Sequence, residues 1–286
     1  MIVLAACGGS RTSGTLATLR SACEPAYFWD SGSCKPRGDG AKQIATGKQA
    51  LIDQNIDQAK TSLAAADHGG PLDHETNVLL WEQRGIAAGF LEDKSGAATA
   101  FGMLLALDPG HYLSYNHKPE VTMIFERERD AAKKAGPPTI DVNWPQALKT
   151  GEAVPLEIEV VADPKQFMRR ATVFVRTRGD AAWHAADLAL AAKATRLLIP
   201  PVNATHATSL ELYLRAYDDQ GNEVLAWADP TRPREIPLRY DPPPRWYRSW
   251  KTYAIGGTAV AVITGIIVYA VTLSPPDTAG GNGIVK

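Results

Sequence analysis

A long uncharged stretch near the end of the chain, Tyr253–Leu273, is the feature that most limits what this sequence can fold into. A helix of about 21 residues rises roughly 30 Å, which matches the hydrocarbon core of a bilayer. The stretch therefore predicts one C-terminal transmembrane helix, with a buried core helix as the alternative. Side chains that favour the headgroup level precede it and are predicted to act as interfacial anchors: Arg245, Trp246, Tyr247, Arg248, Trp250 and Lys251.

Small side chains recur at every fourth position within this stretch, at Gly257, Ala261 and Gly265. Such a stripe lets two membrane helices approach closely, so it predicts a homodimer through the helix. Small residues are also common in membrane helices in general, and that interpretation stays open. On either interpretation the predicted helix binds membrane lipid.

The first cysteine ends the sequence Leu4-Ala5-Ala6-Cys7, which resembles the site cut by the bacterial lipoprotein signal peptidase. The resemblance implies lipidation of Cys7. A signal peptide needs a basic start and an apolar run of about 7 residues or more, whereas this chain has roughly half that run and no basic start. An ordinary thiol is therefore the alternative.

The other two cysteines, Cys23 and Cys34, flank a short segment with turn-forming residues at both ends. In an oxidising compartment this pattern predicts a disulfide, worth about 2–3 kcal/mol in the chain-entropy model. Two free cytosolic thiols are the alternative. A structural zinc site needs a second pair of ligands, so no metal is predicted here.

The order of patterns along the chain predicts a multi-domain α + β protein. Gly136-Pro137-Pro138 separates a helical part from a β part, because no helix continues through this sequence. The predicted parts are a signal remnant and tether (1–38), a helical domain (39–135), a β-sandwich (139–240), a Pro-rich, basic and aromatic juxtamembrane linker (241–252), the transmembrane helix (253–273) and a flexible tail (274–286).

Apolar residues recur at helical spacing throughout the helical part. Connections between the periodic segments carry Gly, Pro, Asn or Asp, which end helices. The pattern predicts five helices, at Ala41–Asp53, Asp57–His68, Asp73–Leu91, Ser95–Leu107 and Pro119–Ala135.

The third and fourth predicted helices carry a repeat motif. Its residues, at the offsets of a tetratricopeptide repeat, are Trp81, Gly85, Ala97, Phe101 and Pro109. A fainter copy precedes it, with Gln43 where the Trp should stand. This part resembles the tetratricopeptide family, which implies a concave groove that binds a protein partner. Two copies are fewer than a free-standing stack usually needs, so they are predicted to lean on a capping helix, the next domain or a partner.

In residues 139–240, apolar and polar side chains alternate with a period of two, as in Val154–Val160 and Leu210–Arg215. About seven or eight short strands separated by turn signals predict an all-β sandwich. The order is similar to the immunoglobulin-like and fibronectin type III modules of bacterial envelope proteins. That resemblance implies a spacer or adhesion module rather than an active site.

Charge and motifs argue against several function classes. The net charge of -1 gives no electrostatic basis for nucleic-acid binding. The sequence has no nucleophile elbow, no zinc-protease motif and no dinucleotide-binding glycine run. The pairs His68/His74 and His111/His117 lack the spacing that puts two ligands on one helix face, so they are interpreted as surface or loop-packing histidines. No cofactor and no metal are predicted.

Two signals disagree about topology. Arg245, Arg248 and Lys251 precede the predicted span, which places the body in the cytoplasm by the positive-inside rule. The cysteine patterns favour export instead. The combination of repeat, sandwich and C-terminal helix is similar to multi-domain periplasmic proteins of deltaproteobacteria, which implies a bacterial envelope protein with a periplasmic body.

The whole sequence predicts a non-enzymatic, membrane-anchored envelope scaffold that binds a protein partner through its helical repeats, with the sandwich as a spacer. A tail-anchored cytoplasmic adaptor is one alternative. Another, from a different class, is a carbohydrate-active or other enzyme with its chemistry on the sandwich loops. Its candidate carboxylates are Asp180, Asp187, Asp218 and Asp219.

Overall fold

The change of hydrophobic period near residue 137 corresponds to a change from helices to strands in the computed structural model. The structure describes residues 14–114, 116–190 and 194–242. Residues 1–240 form one compact unit, which contains both the helices and the sheets, and 241–286 form a second unit. Asp241 and Pro242 are the described residues of that second unit.

Helices form where the apolar spacing predicts them, within a few residues at each end. The five α-helices of the described residues are α1 (Gly40–Ile52), α2 (Ile56–Ala65), α3 (His74–Phe90), α4 (Lys94–Leu107) and α5 (Pro119–Ala135). The side chains of Asn55, Asp73 and Asp93 cap α2, α3 and α4 by accepting a backbone N–H from the first turn. Gly136, at φ 78°, ends α5 in a conformation that suits glycine.

Close helix packing depends on glycines in α1 and α3. A Cβ on Gly47 would lie 2.7 Å from Leu63 Cγ, and one on Gly85 would overlap the ring of Phe101. Phe101 is fully buried and meets Phe125 edge-on at 5.4 Å. The helices thus share a hydrophobic core of their own.

The strands carry the alternating segments and part of the N-terminal region. Thirteen lie among the described residues: β1 (Thr15–Leu16), β2 (Arg20–Ser21), β3 (Tyr27–Asp30), β4 (Ser33–Pro36), β5 (Thr139–Asn143), β6 (Leu148–Lys149), β7 (Val154–Ala162), β8 (Arg170–Thr177), β9 (His184–Ala189), β10 (Thr195–Ile199), β11 (Thr208–Tyr217), β12 (Glu223–Trp227) and β13 (Arg234–Arg239).

Two mixed sheets share one hydrophobic core. The four-stranded sheet has the order β1-β10-β7-β5, and the seven-stranded sheet has the order β2-β9-β8-β11-β13-β6, with β12 also paired to β11. Leu156 and Ile158 of β7 and Val173 of β8 are buried in this core. Every second residue of these strands is inward-facing, which explains the period of two.

The predicted fold class, with separate helical, sandwich and membrane parts, is wrong. The described chain is a β-rich fold with mixed sheets, and the helices pack on it within one unit. Val78 and Trp81 of α3 contact both the helical core and the sandwich core. Because α3 also packs on β12, the helices are not an open stack with a free groove, and the tetratricopeptide-repeat interpretation is not supported.

The predicted N-terminal tether is also corrected by the structure. Strand β1 adds in parallel to β10, and β2 adds antiparallel to β9, so the region before residue 38 completes one edge of each large sheet. Edge strands left open would expose unpaired N–H and C=O groups, and these short strands cover part of that edge.

The membrane prediction needs correction as well. Within the described ranges the longest helices, α3 and α5, have 17 residues each, and none combines the length and hydropathy that a bilayer crossing requires. The described residues therefore do not support the prediction of a single-pass envelope membrane protein. The segment on which that prediction rested, Tyr253–Leu273, lies outside the described residues, as do Cys7, the interfacial anchors from Arg245 to Lys251, and the small-residue stripe.

Candidate functional site

A groove of about 980 Å³ lies between three elements of the compact unit. One wall is the hairpin of β3 and β4, the second is the first turn of α3, and the floor is the outer face of the seven-stranded sheet. Cavities of this size hold drug-sized or extended ligands. The groove is therefore the candidate functional site.

The floor consists of outward-facing residues in register on β8 and β11. Thr172 pairs with Arg215, and Phe174 pairs with Tyr213. The rings of Phe174 and Tyr213 stack at 4.5 Å between centroids, and Trp183 meets Tyr213 edge-on at 4.7 Å. These contacts make a rigid aromatic centre in an otherwise polar surface.

A partly buried ion pair lies beside this aromatic centre. Arg215 Nε lies 2.8 Å from Glu223 Oε1, and the same guanidinium donates to Ala228 O at 2.8 Å. Burial raises the pKa of Glu223, although the charges of Arg215 and Arg37 act in the opposite direction. The carboxylate therefore holds Arg215 in place on the groove floor.

Two tyrosines on the floor act as neutral hydrogen-bonding groups. Burial raises the pKa of Tyr213 to about 12 and that of Tyr217 to about 12. Both phenols therefore stay protonated at any physiological pH. Tyr217 also hydrogen-bonds Thr172, whose hydroxyl donates to Asp187 Oδ1 at 2.7 Å.

The hairpin is held over the floor by Arg20 of β2. Its guanidinium contacts both carboxylate oxygens of Asp187, at 2.8 and 3.1 Å, and lies 4.3 Å from the ring centroid of Trp29. Tyr27 and Trp29 lie on the same side of β3 and remain 41% and 36% exposed. The hairpin therefore presents two aromatic rings to the groove.

The second wall, at the start of α3, is joined to β12 by hydrogen bonds. Glu223 N donates to Leu72 O at 2.9 Å, and Asn77 Nδ2 donates to Glu223 O at 3.2 Å. His74 lies in the same turn, and its Nδ1 is buried without a hydrogen-bond partner among the described residues. Burial lowers the pKa of His74, so its imidazole is neutral near pH 7.

Cys23 and Cys34 form a disulfide in the structure, and Cys23 lines the groove where the hairpin begins. The crosslink joins the segment before β3 to Cys34 of β4, which pairs with Trp29 near the turn of the hairpin. The residues of the predicted repeat motif lie elsewhere: Gly85, Ala97 and Phe101 pack in the helical core, while Pro109 is exposed after α4.

The four candidate carboxylates do not all reach the groove. Asp187 lines it and is paired with Arg20, whereas Asp180 and Asp219 are exposed in turns. Asp218 accepts hydrogen bonds from the backbone of Gln220 and Asn222 and so organises its own turn. Burial raises the pKa of Asp218, and these hydrogen bonds oppose the shift.

The predicted histidine pairs show no sign of a shared site, and His111 illustrates this. His111 Nδ1 lies 3.3 Å from Asp108 Oδ2, and its Nε2 lies 3.6 Å from Glu82 Oε2, on the helical side of the molecule. Over the ranges that the structure describes, no three His, Cys, Asp or Glu side chains group in a way that could hold a metal ion.

The sequence interpretation missed the groove, because it predicts a tether before residue 38 and a spacer without an active site in residues 139–240. Two signals could have found it. The aromatic run Tyr27-Phe28-Trp29 lies between two cysteines, which is unusual for a tether. The strands β8 and β11 also place arginines and aromatic rings at alternate positions, on the face opposite the core.

Comparisons with known proteins give little guidance. No protein-family model and no curated protein matches the chain. Among solved structures it is similar to the "Cohesin module from Clostridium perfringens ATCC13124 family 33 glycoside hydrolase", with 9% identity and a TM-score of 0.24 over 36% of this chain and 98% of that one. A likeness at this level is too remote to inform the fold or the function.

Proposed function

We propose that this chain is a non-enzymatic binding protein that holds an extended segment of a protein partner in the groove. The observation that carries the proposal is the pair of exposed rings, Tyr27 and Trp29, facing a sheet surface that carries Arg215 and Tyr217. Tyr, Trp and Arg are the residues that dominate binding energy at protein interfaces.

The rigidity of the groove supports the same function. Arg20 is held by Asp187, and Arg215 is held by Glu223. The start of α3 is tied to β12 by one backbone hydrogen bond and by the side chain of Asn77. Side chains that are already ordered lose little conformational entropy when a ligand binds. A partner segment would therefore meet a surface whose shape is set in advance.

The ion pairs and hydrogen bonds of the groove carboxylates favour a binding role over catalysis. General acid–base chemistry needs a carboxyl or imidazole group within reach of a substrate proton. Asp187 is held by Arg20 and Thr172, and Glu223 is held by Arg215. Each group thus serves to position its neighbour.

A second candidate is saccharide binding, because exposed tyrosine and tryptophan rings offer flat apolar faces to sugar rings. The same two residues, Tyr27 and Trp29, favour it. The two candidates differ in the ligand that fills the groove, so one experiment separates them.

The test is to bind the full-length chain to an octapeptide array and to a glycan array. Replacing Trp29→Ala should weaken binding to the selected peptides by about tenfold or more, as for an interface hot spot. The matched control is Met123→Ala, which removes another exposed apolar side chain, 72% exposed on α5. Selection of glycans but no peptides, or equal effects of the two variants, would refute the proposal.

A further inference from the structure

Two arginines border the groove without a carboxylate partner. Arg20, Arg176 and Arg215 each form an ion pair on the sheet surface. In contrast, within residues 14–114, 116–190 and 194–242, neither Arg37 nor Arg170 has a carboxylate oxygen at ion-pair distance. The positive charge of these two groups is therefore not neutralised by direct contact.

Arg37 is fixed in place by neutral groups. Its Nη1 donates to Pro71 O at 3.2 Å, and its Nε donates to Pro25 O at 3.2 Å. These two carbonyls orient the guanidinium between the hairpin and the start of α3 but leave its full charge. That charge acts on the groove floor, because it lowers the pKa values of Glu223 and Tyr217 against the larger effect of burial.

Arg170 reaches the same place from the sheet. It pairs with Tyr217 in the register of β8 and β11, and it is exposed. A Cβ built on Gly221 would lie 3.2 Å from Arg170 Nη2 and 3.5 Å from Pro71 Cγ. At this end of the groove, the guanidinium of Arg37 contacts the Pro71 carbonyl. The guanidinium of Arg170 lies near the Pro71 ring.

The acidic residues nearest this end of the groove have other direct partners or are exposed. Asp30 is paired with Lys35 at 2.5 Å, and Asp73 caps α3 by accepting the Thr76 N–H at 2.9 Å. Glu24 and Glu75 are exposed to solvent, where their charge is screened. Among the described residues, no carboxylate at the Pro71 end of the groove therefore contacts either guanidinium directly.

We infer that Arg37 and Arg170 form a carboxylate subsite, which takes an Asp or Glu side chain of the partner segment. This inference rests on the proposed function and specifies its partner as an acidic peptide. Planar guanidinium groups bind carboxylates through two parallel N–H···O bonds, and these charge-assisted bonds are stronger than neutral ones. Tyr27 and Trp29 contact apolar parts of the same peptide.

The experiment uses octapeptides selected by the full-length chain, each in two forms, one with Asp and Glu and one with Asn and Gln at the same positions. Dissociation constants are measured by fluorescence anisotropy. The acidic form should bind the double variant Arg37→Gln/Arg170→Gln about tenfold or more weakly than it binds the wild type, because two charge-assisted contacts are lost. The amide form should bind both proteins alike.

Two further variants make the result specific. Lys48→Gln/Lys60→Gln removes the same charge from exposed positions on α1 and α2, and it should leave binding unchanged. Arg37 makes hydrogen bonds that replacement would remove. The single variant Arg170→Gln loses no hydrogen bond or ion pair among the described residues. It should still weaken binding of the acidic peptides.

The outcomes separate this inference from the proposed function. Peptides that bind equally well in their acidic and amide forms would overturn the subsite while the binding function stands. A loss of the same size in Lys48→Gln/Lys60→Gln would also overturn it, because the effect would come from net charge. Binding of oligogalacturonate but no peptide would overturn both, in favour of an acidic saccharide.

Discussion

At the scale of single residues, the contact of Gly85 with Phe101 shows how one missing side chain lets two helices approach. A Cβ on Gly85 would lie 2.8 Å from Phe101 Cζ and closer still to two other ring atoms. We expect Gly85→Ala to lower the free energy of unfolding by about 1–3 kcal/mol, because overpacking outweighs the gain in helix propensity. Urea denaturation followed by circular dichroism measures the change.

Gly102 provides the matched control for this prediction. It also lies inside a helix, but a Cβ there would meet the flexible end of Lys165, at 3.1 Å from Nζ, which can move away. Gly102→Ala should therefore be neutral or stabilise by up to about 1 kcal/mol. Equal stabilities of the two variants would contradict the packing argument.

His74 should give the protein a measurable pH dependence. Burial lowers its pKa below the ordinary value of 6.5, so the unfolded chain binds this proton more readily than the folded one. The free energy of unfolding should therefore fall as the pH drops from about 7 to about 5, through the unfolded pKa towards the folded one. The variant His74→Gln should lose this part of the slope in urea titrations at several pH values.

Other groups at the same junction titrate with the opposite sign. Burial raises the pKa values of Asp218 and Glu223, so these carboxyls bind protons more readily in the folded state and stabilise it as the pH falls. Comparison with His74→Gln separates the histidine from them. His206→Gln, at an exposed position, is the control, and a slope that is unchanged in His74→Gln would contradict the assignment.

Sequence patterns located packing residues better than groove residues. Gly85 and Phe101, which the repeat offsets singled out, do touch, because small-to-large complementarity is a local property of two neighbouring helices. The pairing of Arg20 with Asp187 joins residues 167 positions apart, and nothing local to either residue indicates it. Interactions of this kind depend on sheet register, which a single sequence does not show.

At the scale of elements, the disulfide hairpin is the part that depends least on the hydrophobic core. Both of its strands lie outside the two cores, and Lys35, Arg37 and Arg20 supply its polar contacts. The serine variant Cys23→Ser/Cys34→Ser should lose about 2–3 kcal/mol of stability, because the open chain has more conformations when unfolded. Chemical denaturation with and without a reductant measures the loss.

The reductant serves as the control for this prediction. It should destabilise the wild type by about the same amount and leave the serine variant unchanged. A serine variant as stable as the wild type would show that packing of Trp29 under Arg20, rather than the crosslink, orders the hairpin.

Element bounds could be read from the chain where one period continues for many residues. The predicted helix Pro119–Ala135 has the same ends as α5, since a proline begins it and a glycine follows it. Strands β1 and β2 have two residues each, too few to show a period, so the sequence of this region predicts a tether instead. The association of α3 with β12 was missed because buried Asn77 looks like an ordinary polar helix residue in the sequence.

At the scale of the whole molecule, the helices and the sheets should unfold together. Val78 and Trp81 belong to the packing of both cores, so neither core can open without exposing part of the other. We expect Leu80→Ala, in the helical core, and Leu212→Ala, in the sandwich core, to cost about 2–5 kcal/mol each and to lower protection throughout the compact unit.

Hydrogen exchange read by mass spectrometry at increasing urea concentration tests this prediction. Peptides from α4 and β11 should lose protection at the same urea concentration in each variant, since both belong to one cooperative unit. Loss of protection in α4 alone after Leu80→Ala would instead show two independently folding parts.

The addition of β1 to β10 and of β2 to β9 has a consequence for synthesis on the ribosome. Residues of β1 and β2 pair with residues made much later, as Arg20 and Asp187 show, which are 167 positions apart. The helices can form while the chain is still growing, whereas the groove gains its hairpin wall only after β9 and β10 have left the exit tunnel. Such long-range pairing slows folding, so β1 and β2 stay unpaired during much of synthesis.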